Sequence, residues 1–346
     1  MKHREFHIDG LKILASQLIV LHHFAAYGPL ADALDGATPR LSDWFYDYAR
    51  MAVQVFLVLG GFLAARSLAP DHRSLSTLPL FRLVWQRYWR LVPAFAVALL
   101  FTMASSALAR HWLPADFIPN TPTWREFLAH ITLLNGILEV DSISVGVWYV
   151  AIDFQLYVLL ALMLWLGRAW AKAAVVGLML VSLFYFNRNP LWDPWAIYFF
   201  GAYGLGAIAY WAARSSRAGG WLLLFAALCV AALAVDFRGR LVLALVTASL
   251  LGWVQWHSVQ GRPFAPTMPP PWARGLRALS NSSYALFLVH FSVLMLGNAW
   301  FSRLNSASAA WAGLVLLTCW LISMALAILF VRWVERPLSR LGSTGS

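Results

Sequence analysis

The chain alternates long apolar runs with short polar segments, and the runs have the length of membrane crossings. A helix needs about 20 mostly apolar residues to cross a bilayer core. Runs at 11–28, 47–66, 91–109, 145–166, 170–187, 195–213, 220–236, 240–256, 282–300 and 310–333 meet that requirement. The predicted fold is therefore all-α, a polytopic membrane protein of about ten transmembrane helices. The seventh and eighth runs are short and joined by Asp236-Phe237-Arg238-Gly239, which predicts a helical hairpin. Two connections are longer. Residues 110–144 hold Pro114, Pro119, Pro122 and a partly apolar stretch, Phe127–Leu138, too short to span and suited to the interface. Residues 257–281 contain PFAPTMPPP and read as a semi-rigid linker. No internal repeat is visible, and residues 1–346 are expected to form one transmembrane domain without an appended soluble one.

Composition sharpens this picture. The 346 residues are 61% hydrophobic and only 12% charged, where a soluble domain carries about 25% charge. That excludes a soluble enzyme, a disordered chain and a fibrous protein. The net charge of +11 would suit nucleic acid, but the basic residues form short clusters between apolar runs, so no nucleic-acid partner is expected. With the N-terminus in the cytoplasm, ten crossings return the C-terminus there. The inner segments then hold most of the 26 Lys and Arg, Lys2, Arg4 and Arg73 among them, and the outer segments hold most of the 15 Asp and Glu, as the positive-inside rule requires. The basic opening MKHREFHIDG leads into an apolar run that reads as an uncleaved first span. Cys229 and Cys319 lie within apolar runs and read as buried small side chains, not as a disulfide or metal pair. The Trp residues gather near span ends, as interfacial anchors do.

Ionisable groups inside spans are expensive and few. On the first span, Lys12 and His23 are eleven residues apart, which places them on one helix face about 16 Å apart along the axis. His22 is rotated about 100° from His23, so the two point differently. Before the third span, Arg87 and Arg90 form an i, i+3 pair whose forked guanidiniums suit phosphate groups; headgroup anchoring is the other reading. Pro93 then falls in the first turn of that span. Asp153 is the clearest carboxylate in a span and needs a basic partner, a histidine or an arginine. Gly60-Gly61 and the glycines of GAYGLGAIAY point to close helix packing. Ser283 and His290 share a face of the ninth span. Glu335 suits pairing with a nearby arginine. No metal-ligand spacing, phosphate-binding glycine loop or nucleophile elbow is present.

In order along the chain, these pieces resemble the membrane acyltransferase 3 family, the polysaccharide O-acetyltransferase group. Asp9-Gly10-Leu11-Lys12 and His23-Phe24 stand where family members carry a DGLR segment and a His-Phe pair, with Lys12 in place of arginine. Phe56–Phe62 matches an FFxLSGF segment, with Gly60 in place of serine. Arg87, Arg90 and Pro93 match Arg-x-x-Arg-(Leu/Ile)-x-Pro. Trp148, Asp153, Gln155 and Tyr157 match WSLSVEEQFY, with Phe154 at the second glutamate position. Ser283, Tyr284 and His290 match SYxLYLxH, and Glu335-Arg336-Pro337 the ErP ending.

The resemblance implies transfer of an acyl group, most often acetyl, from cytoplasmic acyl-CoA to a hydroxyl of a carbohydrate or similar acceptor at the inner membrane. Acyl-CoA (acetyl-CoA) is then the co-substrate, without a metal. Lys12, Arg87 and Arg90 are the expected cofactor-binding residues. His23, Asp153 and His290 are the expected catalytic residues, with His23 as general base and Asp153 orienting one of the imidazoles. His22 stays open as an alternative base, and an acyl-histidine intermediate as an alternative route; a multi-pass transporter or flippase of a glycan or lipid, and a non-catalytic acyltransferase-like partner, stay open as alternative functions.

Overall fold

The structure is a computed structural model that describes residues 5–70, 79–262, 269–304 and 308–341. Lys2, Arg4, Arg73 and most of the proline-rich stretch at 263–268 lie outside the described residues. Helices account for nearly everything else, and no strand occurs among the described residues. In chain order they are α1 (Phe6–Ala26), α2 (Pro29–Asp35), α3 (Pro39–Asp47), α4 (Val53–Leu68), α5 (Leu80–Ala109), α6 (Trp124–Ile131), α7 (Trp148–Gly167), α8 (Ala171–Phe184), α9 (Ala196–Ala213), α10 (Ala218–Val235), α11 (Gly239–Val259), α12 (Pro270–Asn281), α13 (Ser283–Phe301), α14 (Ala309–Phe330) and α15 (Arg336–Leu341). Among the described residues, 9 helical stretches are long and apolar enough to cross a membrane, or 10 if the bent pair α1–α2 counts as one.

Three segments differ from the sequence reading, one of them the 257–281 stretch expected as a semi-rigid linker, where α12 is helical over Pro270–Asn281. Helix α5 starts at Leu80, so Arg82, Arg87 and Arg90 lie on the helix itself, and Pro93 sits in its interior rather than in its first turn. The reason is the Leu80–Arg90 segment, where Leu, Phe, Val, Trp and Tyr interleave with arginines whose stems pack like apolar side chains. The long 110–144 connection carries a short helix, α6, opened by a capping box between Thr123 and Glu126.

The chain folds as two compact units. One comprises Met1–Leu11, Val53–Arg87 and Ile152–Met268; the other comprises Lys12–Ala52, Tyr88–Ala151 and Pro269–Ser346.

In the first unit, α9 is central. Its span is 94% buried, against 17% for the more apolar α10. A helix that faces lipid needs apolar side chains all round, whereas an interior one can spend positions on glycine and tyrosine. Helices α4 and α9 meet backbone to backbone. A Cβ on Gly61 would lie 1.8 Å from the Tyr203 carbonyl oxygen, and one on Gly206 would lie 1.9 Å from that of Val58. Helices α10 and α11 form the expected hairpin. Arg238 at its turn donates to Asn187 Oδ1 at 2.7 Å and to the Leu183 carbonyl at 2.8 Å.

In the second unit, α13 is the interior helix. It is tied to α5 by Thr102 and Ser292, whose hydroxyls lie 2.9 Å apart, and by Tyr284, whose hydroxyl donates to the Leu91 carbonyl. It also fixes the end of α1. The chain turns by 87° between α1 and α2, through Gly28 at φ 88. Asn298 of α13 fills the corner: its Oδ1 accepts from Leu30 N–H at 2.9 Å and its Nδ2 donates to the Tyr27 carbonyl. A side chain at residue 28 would collide with that amide. The histidine-bearing end of α1 is thereby held against α13.

Candidate active site

The second unit brings two of the expected catalytic residues together. His23 of α1 and His290 of α13 lie ring to ring, nearly parallel, with His23 Nδ1 2.7 Å from His290 Nε2. Both are buried, His290 completely, while His23 keeps 7% of its surface open. The network assigns the tautomers. His290 Nδ1 lies 3.0 Å from the Leu286 carbonyl oxygen, which can only accept, so Nδ1 carries the proton. In a neutral ring Nε2 is then the acceptor. His23 Nδ1–H donates to it, and His23 Nε2 is left as a lone-pair nitrogen.

Aromatic rings and one backbone turn enclose this pair. Tyr27 packs against His23 at 5.9 Å between centroids. Gly146 adopts φ 75, where a side chain would be strained. A Cβ there would sit 2.9 Å from Phe287 and 3.4 Å from His23 Cε1. The backbone at Gly146 therefore runs directly against the His23 ring. The sequence reading did not single out Gly146; the glycine two residues before Trp148 is the signal that marks it.

His22 faces elsewhere. Its Nδ1 donates to the Phe45 carbonyl of α3 at 3.2 Å, and its ring packs near Tyr46. Lys12 and Arg90 also belong to this unit; Lys12 is half-buried and Arg90 exposed. Glu335, on a π-helical turn after α14, lies within electrostatic reach of Arg90 and Arg336.

The first unit holds the charged site. Asp153 of α7 forms an ion pair with Arg87 of α5. The Arg87 guanidinium lies 5.0 Å over the Tyr157 ring, the residue one helical turn on from Asp153. The partner of the carboxylate is thus the arginine, the second of the two kinds the sequence allowed. Gly60 leaves room for this group: a Cβ there would lie 3.0 Å from Tyr203 and 3.4 Å from Asp153 Oδ1. The Tyr203 hydroxyl and Arg87 Nε are buried without a hydrogen-bond partner. Gln155 has a structural task, accepting from Ala196 N–H at the start of α9.

These placements put His23 and His290 together in one unit and Arg87 and Asp153 together in the other. A family-wide comparison decides what the set means: the model of the acyltransferase domain family matches residues 6–332. The chain belongs to the acyltransferase 3 family. The match runs from the start of α1 to the turn after α14, so the acyltransferase 3 domain takes in His23, Arg87, Asp153 and His290 alike. No match emerged among curated proteins or solved structures. Among the described residues, no group of three His, Cys, Asp or Glu could hold a metal in this acyltransferase 3 chain.

Proposed function

We propose that the protein is an integral membrane O-acyltransferase that moves an acyl group, acetyl first among them, from acyl-CoA to a hydroxyl of a carbohydrate or other acceptor. The observation that carries this reading is the His23–His290 pair, whose tautomers leave His23 Nε2 ready to accept a proton. Membership of the acyltransferase 3 family supports the class of reaction. In the inner membrane, with both termini cytoplasmic, the donor would arrive from the cytoplasmic side.

The chemistry follows from the proton positions. His23 Nε2 takes the proton from the acceptor hydroxyl as its oxygen attacks the thioester carbonyl. The bond from carbonyl carbon to sulfur breaks, and the proton passes from His23 to the departing thiolate. The products are the ester and CoA. While His23 is cationic, its Nδ1–H stays bonded to neutral His290, which orients it as the third member of a triad would. His290 is thus the positioning residue in this unit. In the same unit Lys12 and Arg90 would meet the donor's phosphates; Lys12 lies about 16 Å along α1 from His23. In the other unit Asp153 fixes the direction of the Arg87 fork, which is how a carboxylate prepares an arginine to meet a phosphate.

The test is release of CoA and transfer of label from radiolabelled acetyl-CoA by purified protein in nanodiscs, with thermal stabilisation by CoA read in parallel. Wild type and His22→Ala are expected to turn over, and His23→Ala to stay folded and bind CoA without turnover. Absence of both CoA binding and turnover in folded wild type would overturn the reading and favour a transporter or a non-catalytic relative.

A further inference from the structure

The turn that opens α7 lies in the second unit, against the histidine pair. Its carbonyls are engaged: that of Gly146 accepts from Tyr149 N–H at 2.9 Å, and that of Val147 accepts from Val150 N–H at 3.1 Å. Its first N–H groups are not. The opening amides of a helix have no partner within it, and a side-chain oxygen just ahead of the first turn commonly accepts from them. Neither Gly146 nor Val147 carries a polar side chain that could do so. Among the described residues, no group accepts from the Gly146 or the Val147 N–H. Val147 is 4% exposed, and buried amide donors without an acceptor are uncommon.

What the turn faces gives those donors a use. A Cβ on Gly146 would lie 3.4 Å from His23 Cε1, the ring atom bonded to Nε2. His23 is buried, and its Nε2 has no hydrogen-bond partner among the described residues, since the bond to His290 uses Nδ1. A bare proton acceptor and amide donors without acceptors thus adjoin. Acyl transfer needs both. The acceptor oxygen adds to the thioester carbonyl carbon, and its proton goes to His23 Nε2. The π pair of the carbonyl moves onto the carbonyl oxygen, which becomes an alkoxide. That pair returns as the carbon–sulfur bond breaks, and the departing thiolate takes the proton from His23. The alkoxide is stabilised by donors already in place. His290 cannot supply one, because its Nδ1–H is engaged by the Leu286 carbonyl.

We infer that the N–H groups of Gly146 and Val147, at the positive end of α7, form the oxyanion site that receives the thioester carbonyl oxygen. The inference rests on the acyl-transfer reading and adds the group that stabilises charge to the group that moves the proton.

The test uses full-length protein in nanodiscs. Proline is tolerated where a helix begins and removes one N–H. Val147→Pro should turn over acetyl-CoA with a kcat about 10²-fold below that of Val147→Ala, which keeps the N–H. KM for acetyl-CoA and thermal stabilisation by CoA should be alike in the two. A second measurement does not depend on the proline variant folding. Protein labelled with [¹⁵N]valine, its Val147 signal assigned by difference against Val147→Ile, is titrated with a trifluoromethyl ketone analogue of acetyl-CoA. The ketone adds water or an alcohol to give a tetrahedral alkoxide. The Val147 amide proton should move downfield with the analogue and not with CoA alone, as expected when an N–H donates to a charged oxygen. Equal kcat in the two variants, or an amide proton that responds alike to analogue and CoA, in a wild type that transfers acetyl would overturn the oxyanion site and leave the transferase reading standing. A folded wild type that binds CoA without turnover would remove the transferase reading, and the oxyanion site with it.

Discussion

The two compact units treat buried polarity in opposite ways. The first unit buries formal charge: Arg87 and Asp153 pair beside Tyr203, against helices locked backbone to backbone by Gly61 and Gly206. The second unit buries neutral groups joined by hydrogen bonds: His23 with His290, Thr102 with Ser292, and Asn298 with the α1–α2 corner. A buried ion pair must stay paired, because either partner alone is an uncompensated charge. A neutral imidazole pair can take up one proton and release it within its existing hydrogen bonds. The first arrangement suits holding a fixed charge in one direction, and the second suits proton transfer.

That contrast breaks most sharply at His23. Removing the base should lower the rate of acyl transfer about 10³-fold, while the melting temperature in detergent stays near that of wild type. His22→Ala should change the rate by less than about threefold, because His22 is committed to the Phe45 carbonyl and its loss removes no proton acceptor from the pair. Comparable losses in both variants, measured as CoA release, would erase the distinction between the two rings.

The charged site should answer in stability. Asp153→Asn leaves the Arg87 guanidinium without its counter-charge and should cost about 3 kcal/mol, read as a lowered midpoint in a denaturation series. Replacing both partners at once, with Arg87→Met and Asp153→Leu, should recover most of that loss. If Asp153→Asn instead leaves stability intact and abolishes turnover, the carboxylate acts on chemistry and the contrast between the units fails.

His290 gives a smaller and more discriminating effect. His290→Phe removes the acceptor for His23 Nδ1–H and should lower kcat about 10²-fold with little change in KM. His290→Gln, whose amide oxygen can still accept, should recover part of the rate. Equal loss in both variants would point to packing rather than orientation.

The smallest effect is a pH dependence outside the spans. His130 of α6 is buried, and burial lowers its pKa from 6.5, partly offset by its bond to the Glu126 carbonyl. Below 6.5 the unfolded chain binds the proton more readily than the folded one, so this contribution to stability is present above that pH and is lost as pH falls toward the folded value. The melting temperature should drop between pH 7.5 and 5.5, and His130→Gln should flatten the drop.

The spans were legible because apolar length is a one-dimensional signal: each of the ten runs lies on a helix found in the structure. The helix-packing role of Gly60-Gly61 and of Gly206 was legible too, since small residues in an apolar helix have few other uses. The ends were harder. The start of α5 at Leu80 was hidden by arginines that interrupt hydropathy without interrupting a helix. The site was half legible. Sequence singled out His23, His290, Arg87 and Asp153, but partnership between distant residues has no period along the chain. Nothing in the spacing says that His23 meets His290 or that Asp153 meets Arg87. Gly146 and Asn298 escaped for a different reason: one acts through its backbone and the other by bonding a bend, and neither pattern differs from ordinary loop or helix sequence.

The most direct measurement is the protonation of the His23 ring, read by ¹⁵N NMR of histidine-labelled protein in nanodiscs and assigned by difference against His23→Ala. The account predicts a neutral ring with its proton on Nδ1, bonded to His290, and a bare Nε2. A proton on Nε2, or a His23 resonance unmoved by His290→Phe, would contradict it.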